Sequence, residues 1–148
     1  MKSNRILILS EYFYPDLNAT GYFMTAIAER LARGKDRVTV ITASENSDTL
    51  IDKKIKIHRL KKLSLNKNNI FERLLKLLFI TIKFTLKTVF NLKKFDKILI
   101  VTNPAFVVLI IPLIKIIKKN IKATILVHDV FPENLHASNI LNSSSIFY

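Results

Sequence analysis

The sequence predicts an α/β domain of the Rossmann-like, doubly wound kind, a mainly parallel sheet with helices on both faces. Three observations carry that expectation. Short runs with both faces apolar recur at residues 6–9, 38–42, 98–102 and 123–127, and strands buried on both sides belong to parallel sheets. Stretches of helical length and period lie between them, as in successive βαβ units. The chain has 148 residues, 49% of them hydrophobic, which is enough for one packed core and not two.

The first unit is the clearest. Ile6-Leu7-Ile8-Leu9 leads into a loop over residues 10–21, a helical pattern runs over 22–33 and stops at Gly34, and Val38-Thr39-Val40-Ile41-Thr42 follows. In such sheets ligands sit beyond the carboxyl ends of the strands, where a helix N-terminus offers free N–H groups to an anion. Gly21 stands where the backbone would come closest to a phosphate, with Asn18 and Thr20 supplying short side-chain hydrogen bonds. The plainer alternative is a turn glycine that opens a helix, because one glycine falls well short of a dinucleotide fingerprint.

Residues 43–54 form a polar loop, and 55–60 alternate with period two like an edge strand. A basic connection over 61–69 precedes a long helical pattern over 70–94. The buried strand at 98–102 is ended by Asn103-Pro104, since proline cannot continue a ladder. A helix is expected over 105–117, with Lys118 and Lys119 suited to its C-terminal end. After the last strand, His128-Asp129-Val130-Phe131-Pro132-Glu133 leads toward a further helix.

The loops after the three most buried strands, taken as the first, the one at 98–102 and the one at 123–127, are expected to converge on one edge. They bring Asn18, Thr20 and Gly21 toward Thr102, Asn103 and Pro104 and toward His128, Asp129 and Glu133. His128, where an apolar strand gives out beside an acid, is the best candidate for a reactive group, although a lone histidine is more often structural. Asp129 could orient it or cap the coming helix, and Glu133 after Pro132 suits a first helical turn. Glu133 and His136 have the spacing of half a carboxylate-bridged metal motif; no second copy exists, and no metal is expected.

The 24 basic and 11 acidic residues give a net charge of +13, which favours an anionic partner: nucleic acid, an anionic membrane or a phosphorylated substrate. No aromatic–basic interleaving or known nucleic-acid motif is present, so nucleic acid is the weakest of the three. The absence of cysteine and of a signal peptide fits a cytoplasmic protein. The uncharged run over 98–114 approaches a spanning length, but Asn103-Pro104 and Pro112 interrupt it, and strand, turn and helix explain it better. In the pattern over 70–94, Glu72, Lys76, Lys83, Lys87 and Lys94 fall on one narrow stripe and nearly everything else is apolar. Two interpretations stand: a core-packed helix whose one wet face is lysine-rich, or a basic amphipathic helix on anionic lipid, with Arg73, Lys76, Lys83 and Lys87 meeting headgroups.

Three segments together resemble the N-terminal half of family-4-type retaining glycosyltransferases, in the branch that builds bacterial surface polysaccharides with amino sugars. They are Glu11-Tyr12-Phe13-Tyr14-Pro15-Asp16 through Asn18-Ala19-Thr20-Gly21; Phe95-Asp96-Lys97-Ile98-Leu99-Ile100-Val101-Thr102-Asn103-Pro104; and Val127-His128-Asp129-Val130-Phe131-Pro132-Glu133. Thr20 stands where many members carry a second glycine, and the turn at Gly34-Lys35-Asp36-Arg37 is one residue longer than usual. The resemblance implies two Rossmann-like domains with the active site between them, of which residues 1–148 would be an incomplete N-terminal, acceptor-side domain. The C-terminal domain that binds the nucleotide-sugar would be absent, so the chain alone is expected to be inactive. It further implies transfer of a hexosyl or N-acetylhexosaminyl group to a lipid-phosphate-linked or saccharide acceptor at the inner face of the cell membrane, with no cofactor or metal beyond the nucleotide-sugar co-substrate. His128 would contact the transferred sugar, Asp129 and Glu133 would support its loop, and Asn18, Thr20, Gly21 and Asn103 would face substrate. The alternative is a membrane-docked acceptor-binding subunit, or a non-catalytic remnant, that works only with a separate donor-binding chain.

Overall fold

A computed structural model describes residues 3–44, 54–61 and 70–128. Five strands, β1 (Arg5–Ser10), β2 (Arg37–Thr42), β3 (Ile55–Arg59), β4 (Lys97–Val101) and β5 (Lys122–Leu126), form one sheet in the order β3-β2-β1-β4-β5. Every pairing is parallel: Arg5 to Ser10 runs beside Arg37 to Thr42, and Ile6 to Leu9 beside Lys97 to Ile100. This is the doubly wound arrangement, in which the chain starts at the centre and winds outward both ways.

β1 shows why the centre is stable. Ile6, Leu7, Ile8 and Leu9 are all buried, and they divide by parity between the apolar layers on the two sides of the one sheet. Ile6 and Ile8 join Phe13, Val38 and Val40 against the helix α1 (Ala19–Arg33), which presents Met24, Ala28 and Ala32. Leu7 and Leu9 join Ile41, Ile98 and Ile100 under the helices α2 (Ile70–Asn91) and α3 (Ile110–Ile117), through Ile80, Phe84, Ile110 and Ile114. The segment 70–94 ends in a 3-10 turn, Leu92–Lys94, and the helix expected over 105–117 begins as another, Ala105–Leu109. At the N-terminal edge of the sheet Arg5 grips Asp96 with two side-chain bonds of 2.8 and 3.0 Å, and this holds the Asp96 carboxyl well below the usual carboxylate range.

Three expectations need correction. Helix α1 starts at Ala19 rather than at residue 22, because Asn18 caps it: the Asn18 side chain accepts the Gly21 N–H at 2.7 Å. Thr20 and Gly21 therefore lie in the first helical turn and not in the loop. The last strand, although apolar, is an exposed edge, with Thr124 and Ile125 open to solvent, and β2 takes its place among the most buried strands. The lysine stripe of α2 is not the wet face of that helix: Lys76, Lys83 and Lys87 are half-buried, while Phe71, Leu75, Leu78, Ile82 and Leu86 face solvent. Among the described residues no helix is long and apolar enough to cross a membrane.

Candidate functional site

The strand ends build the site. After β1 the chain turns over the end of β2 and is fastened there by hydroxyls. Thr42 Oγ1 donates to the Glu11 carbonyl at 3.0 Å, and Ser44 Oγ accepts the Phe13 N–H at 2.7 Å. Ser44 Oγ also lies 2.6 Å from Asp16 Oδ2, to which it donates. Ser10, Thr42 and Ser44 are all buried, so each hydroxyl satisfies a backbone group that water cannot reach. Thr25 on α1 accepts the Tyr14 N–H at 3.1 Å and donates to the Gly21 carbonyl at 2.7 Å, locking loop to helix.

Gly21 is explained by this packing. A methyl group there would stand 2.6 Å from the Asp16 carbonyl oxygen and 3.2 Å from Asn18 Oδ1. The glycine admits the loop against the helix, and its N–H is already taken by Asn18.

The loops after β1, β4 and β5 do meet. Asn103 accepts the Glu11 N–H at 2.9 Å, Thr102 N–H donates to Leu126 at 3.1 Å, and Thr102 Oγ1 accepts the His128 N–H at 2.9 Å. His128 thus emerges, exposed, where β5 ends. Beside it an open pocket of about 250 Å³ is lined by Thr20, Phe23, Met24 and Ile27 of α1 and by Leu126, Val127 and His128. An apolar wall with a few polar groups at its mouth is the usual make-up of a small-molecule site. Thr20 and His128 are brought together, the Asn18 side chain is committed to its cap, and Asn103 fastens the β1 loop through its backbone carbonyl. Asp129, Glu133 and His136 lie outside the described residues. No cluster of metal-ligating side chains occurs among the described ones.

Arg59, at the end of β3, escaped the sequence reading. Its Nη2 donates to the Tyr14 carbonyl at 3.0 Å, and its Nη1 is buried with no partner among the described residues. Burial pushes the guanidinium pKa down, and nearby Asp16 opposes this. The only sequence signal was a cation closing an alternating strand. Next to it on β3, His58 is pushed below its ordinary pKa by burial first and then by Lys87, Lys56 and Lys94. Of the lysines singled out on α2, Lys83 donates to the Lys61 carbonyl at 2.9 Å and lies 4.2 Å from the centre of the Phe79 ring. Lys76 and Lys87 run along the same flank, and the Arg73 side chain is outside the described set.

A parallel, doubly wound sheet with a pocket at its strand ends defines a Rossmann-like α/β domain. The same fold recurs in the solved C-terminal domain of a hydrogenase from Pyrococcus furiosus, with a TM-score of 0.58 and 14% identity over 84% of this chain and 93% of that one. In sequence the chain is similar to the probable glycosyltransferase WbjE of Pseudomonas aeruginosa, 33% identical over 147 residues that make up 97% of this chain. It spans 36% of the length of that relative. No family model matches the chain.

Proposed function

We propose that the chain is the acceptor-side part of a glycosyltransferase that moves a hexosyl or N-acetylhexosaminyl group from a nucleotide-sugar to a lipid-linked or saccharide acceptor in surface polysaccharide synthesis. The observation that carries this is the similarity to a probable glycosyltransferase along nearly the whole chain, and the convergence of the β1, β4 and β5 loops gives that activity a place to act. The family-4-type assignment rests on the three motif segments, of which residues 11–21, 102–104 and 127–128 follow β1, β4 and β5. In this scheme the acceptor occupies the pocket between α1 and β5, and His128 meets the transferred sugar at its mouth. Asp129 and Glu133 support the loop that follows. Asn18 and Gly21 act indirectly, by fixing the start of α1. The donor is held by a further domain, in the same polypeptide or a separate chain, as expected for a chain matching about a third of its relative. No metal or other cofactor is required beyond the nucleotide-sugar. The site works at the inner face of the cell membrane, with the protein peripherally bound.

The test is a pair of binding and transfer measurements on the purified chain. A polyprenyl phosphate or pyrophosphate sugar in detergent should bind, nucleotide-sugars should not, and no sugar should be transferred. Tight binding of a nucleotide-sugar without the lipid acceptor, or transfer by the chain alone, would contradict the assignment. The alternative, a membrane-docked acceptor-binding subunit or remnant that needs a separate donor-binding chain, predicts the same binding and transfer only when that separate chain is added.

A further inference from the structure

The outward side of α2 and α3 is unusual for a soluble domain. On α2, Phe71, Leu74, Leu75, Leu78, Ile82 and Leu86 face solvent, Ile82 being 56% exposed, and Phe90 at its far end is 80% exposed. Beside it, Leu109 is 70% and Ile116 76% exposed, with Leu113 between them in sequence. The two sets meet across a shallow groove of about 300 Å³, with Leu78, Thr81 and Thr85 on one bank and Phe106, Leu109 and Leu113 on the other. One apolar surface thus spans two helices, far beyond the scattered single residues that monomers normally show.

Charge lies along one border of this surface. At 3.6 residues per turn Lys76, Lys83 and Lys87 share a flank of α2, and that flank is turned toward β3. Lys83 reaches the Lys61 carbonyl, and Lys87, Lys94 and Lys56 all act on His58. An apolar band bordered by lysines suits an interface between acyl chains and anionic headgroups. A second copy of the chain suits it less, since each copy carries +13 and like charges would line the contact.

We infer that the outward faces of α2 and α3 form a single docking surface for an anionic lipid bilayer, the apolar side chains entering the acyl boundary and the Lys76–Lys83–Lys87 flank meeting the phosphates. This deepens the peripheral attachment proposed above by naming its surface and adding α3. It does not require sugar transfer, so either can fail alone. Helix α2 runs antiparallel to the strands it connects, so its Phe71–Leu78 end lies near the strand-end site, and so does the 3-10 turn that follows β4.

The test is co-sedimentation of the whole chain with vesicles of phosphatidylcholine alone and of phosphatidylcholine with 30% phosphatidylglycerol (about a third anionic lipid is enough to set a negative surface potential). The chain should bind the anionic vesicles at least ~10-fold more strongly, and the difference should shrink in high salt because exposed charges are screened. Ile82→Glu with Leu113→Glu should lower binding by more than ~10-fold. Lys83→Gln with Lys87→Gln should remove most of the anionic preference while leaving the apolar surface intact. Circular dichroism and gel filtration accompany each variant. Failure of the folded wild-type chain to bind either vesicle overturns the inference. So does a dimer that Ile82→Glu dissociates while vesicle binding is unchanged, which would assign the face to self-association.

Discussion

The two sides of the sheet solve the same packing problem with different surfaces. Helix α1 buries small residues, Gly21, Ala28 and Ala32, around Met24, and its outer positions beyond the first turns carry Ala26, Glu29, Arg30 and Arg33. Its two exposed aromatics, Tyr22 and Phe23, stand at the end that borders the pocket. Helix α2 buries Ile80, Phe84 and Thr88, yet its outer positions are as apolar as its inner ones. A helix apolar on both its inner and its outer face is normally covered on both. One side of this sheet therefore closes a soluble core, and the other adds a second apolar layer that the core does not use.

Core substitutions should hurt alike on both sides, and the largest effect is expected from Phe84→Ala. Phe84 is fully buried, so its truncation should cost ~3–5 kcal/mol by chemical denaturation. A cost below ~1 kcal/mol would mean that the α2 side is not a packed core at all. Gly21→Ala should follow: the added methyl meets the Asp16 carbonyl, and overpacking of this kind costs ~1–3 kcal/mol. A neutral result would show that the loop gives way easily and would return Gly21 to the ligand role the sequence suggested. Asn18→Ala removes the cap of α1 and should cost ~1 kcal/mol in the same assay.

The smallest stability effects are expected on the outer face of α2. Leu78→Ser and Ile82→Ser should change stability by no more than ~0.5 kcal/mol, since these side chains are already exposed. A loss of several kcal/mol would place them in a core.

His58 sharpens the comparison through pH. Its folded pKa is depressed below 6.5, so between the two values the unfolded chain binds more protons, and stability rises with pH. The wild-type chain should therefore weaken as pH falls from about 7.5 through the histidine range, and His58→Gln should flatten that slope. An unchanged slope would remove His58 from the cationic flank.

The architecture was legible because β1, β2 and β4 are apolar on both faces, a pattern that leaves little but a parallel sheet. The meeting of the loops after β1, β4 and β5, with Thr20 beside His128, followed from the strand-end rule. What the sequence hid depends on direction rather than identity. Periodicity located the α2 lysines on one stripe, but only the packing of Ile80 and Phe84 onto the sheet shows that the stripe is a flank. An apolar run at 123–127 looks the same whether it is central or at an edge. Ser44 falls in the polar stretch over 43–54, although its hydroxyl is buried between Phe13 and Asp16. A serine near a strand end gives no sign of which backbone group it will satisfy.

The difference between the two sides can be measured directly, because the chain contains no cysteine and a single one introduces a unique label. An environment-sensitive fluorophore would be placed at Ile82→Cys on the outer face of α2 and, in a second variant, at Glu29→Cys on the outer side of α1. Vesicles containing phosphatidylglycerol would then be added to each. The account predicts a blue shift and quenching by lipid-borne quenchers at residue 82, with no change at residue 29. Equal responses at the two positions, or none at residue 82 with the protein folded, would contradict it.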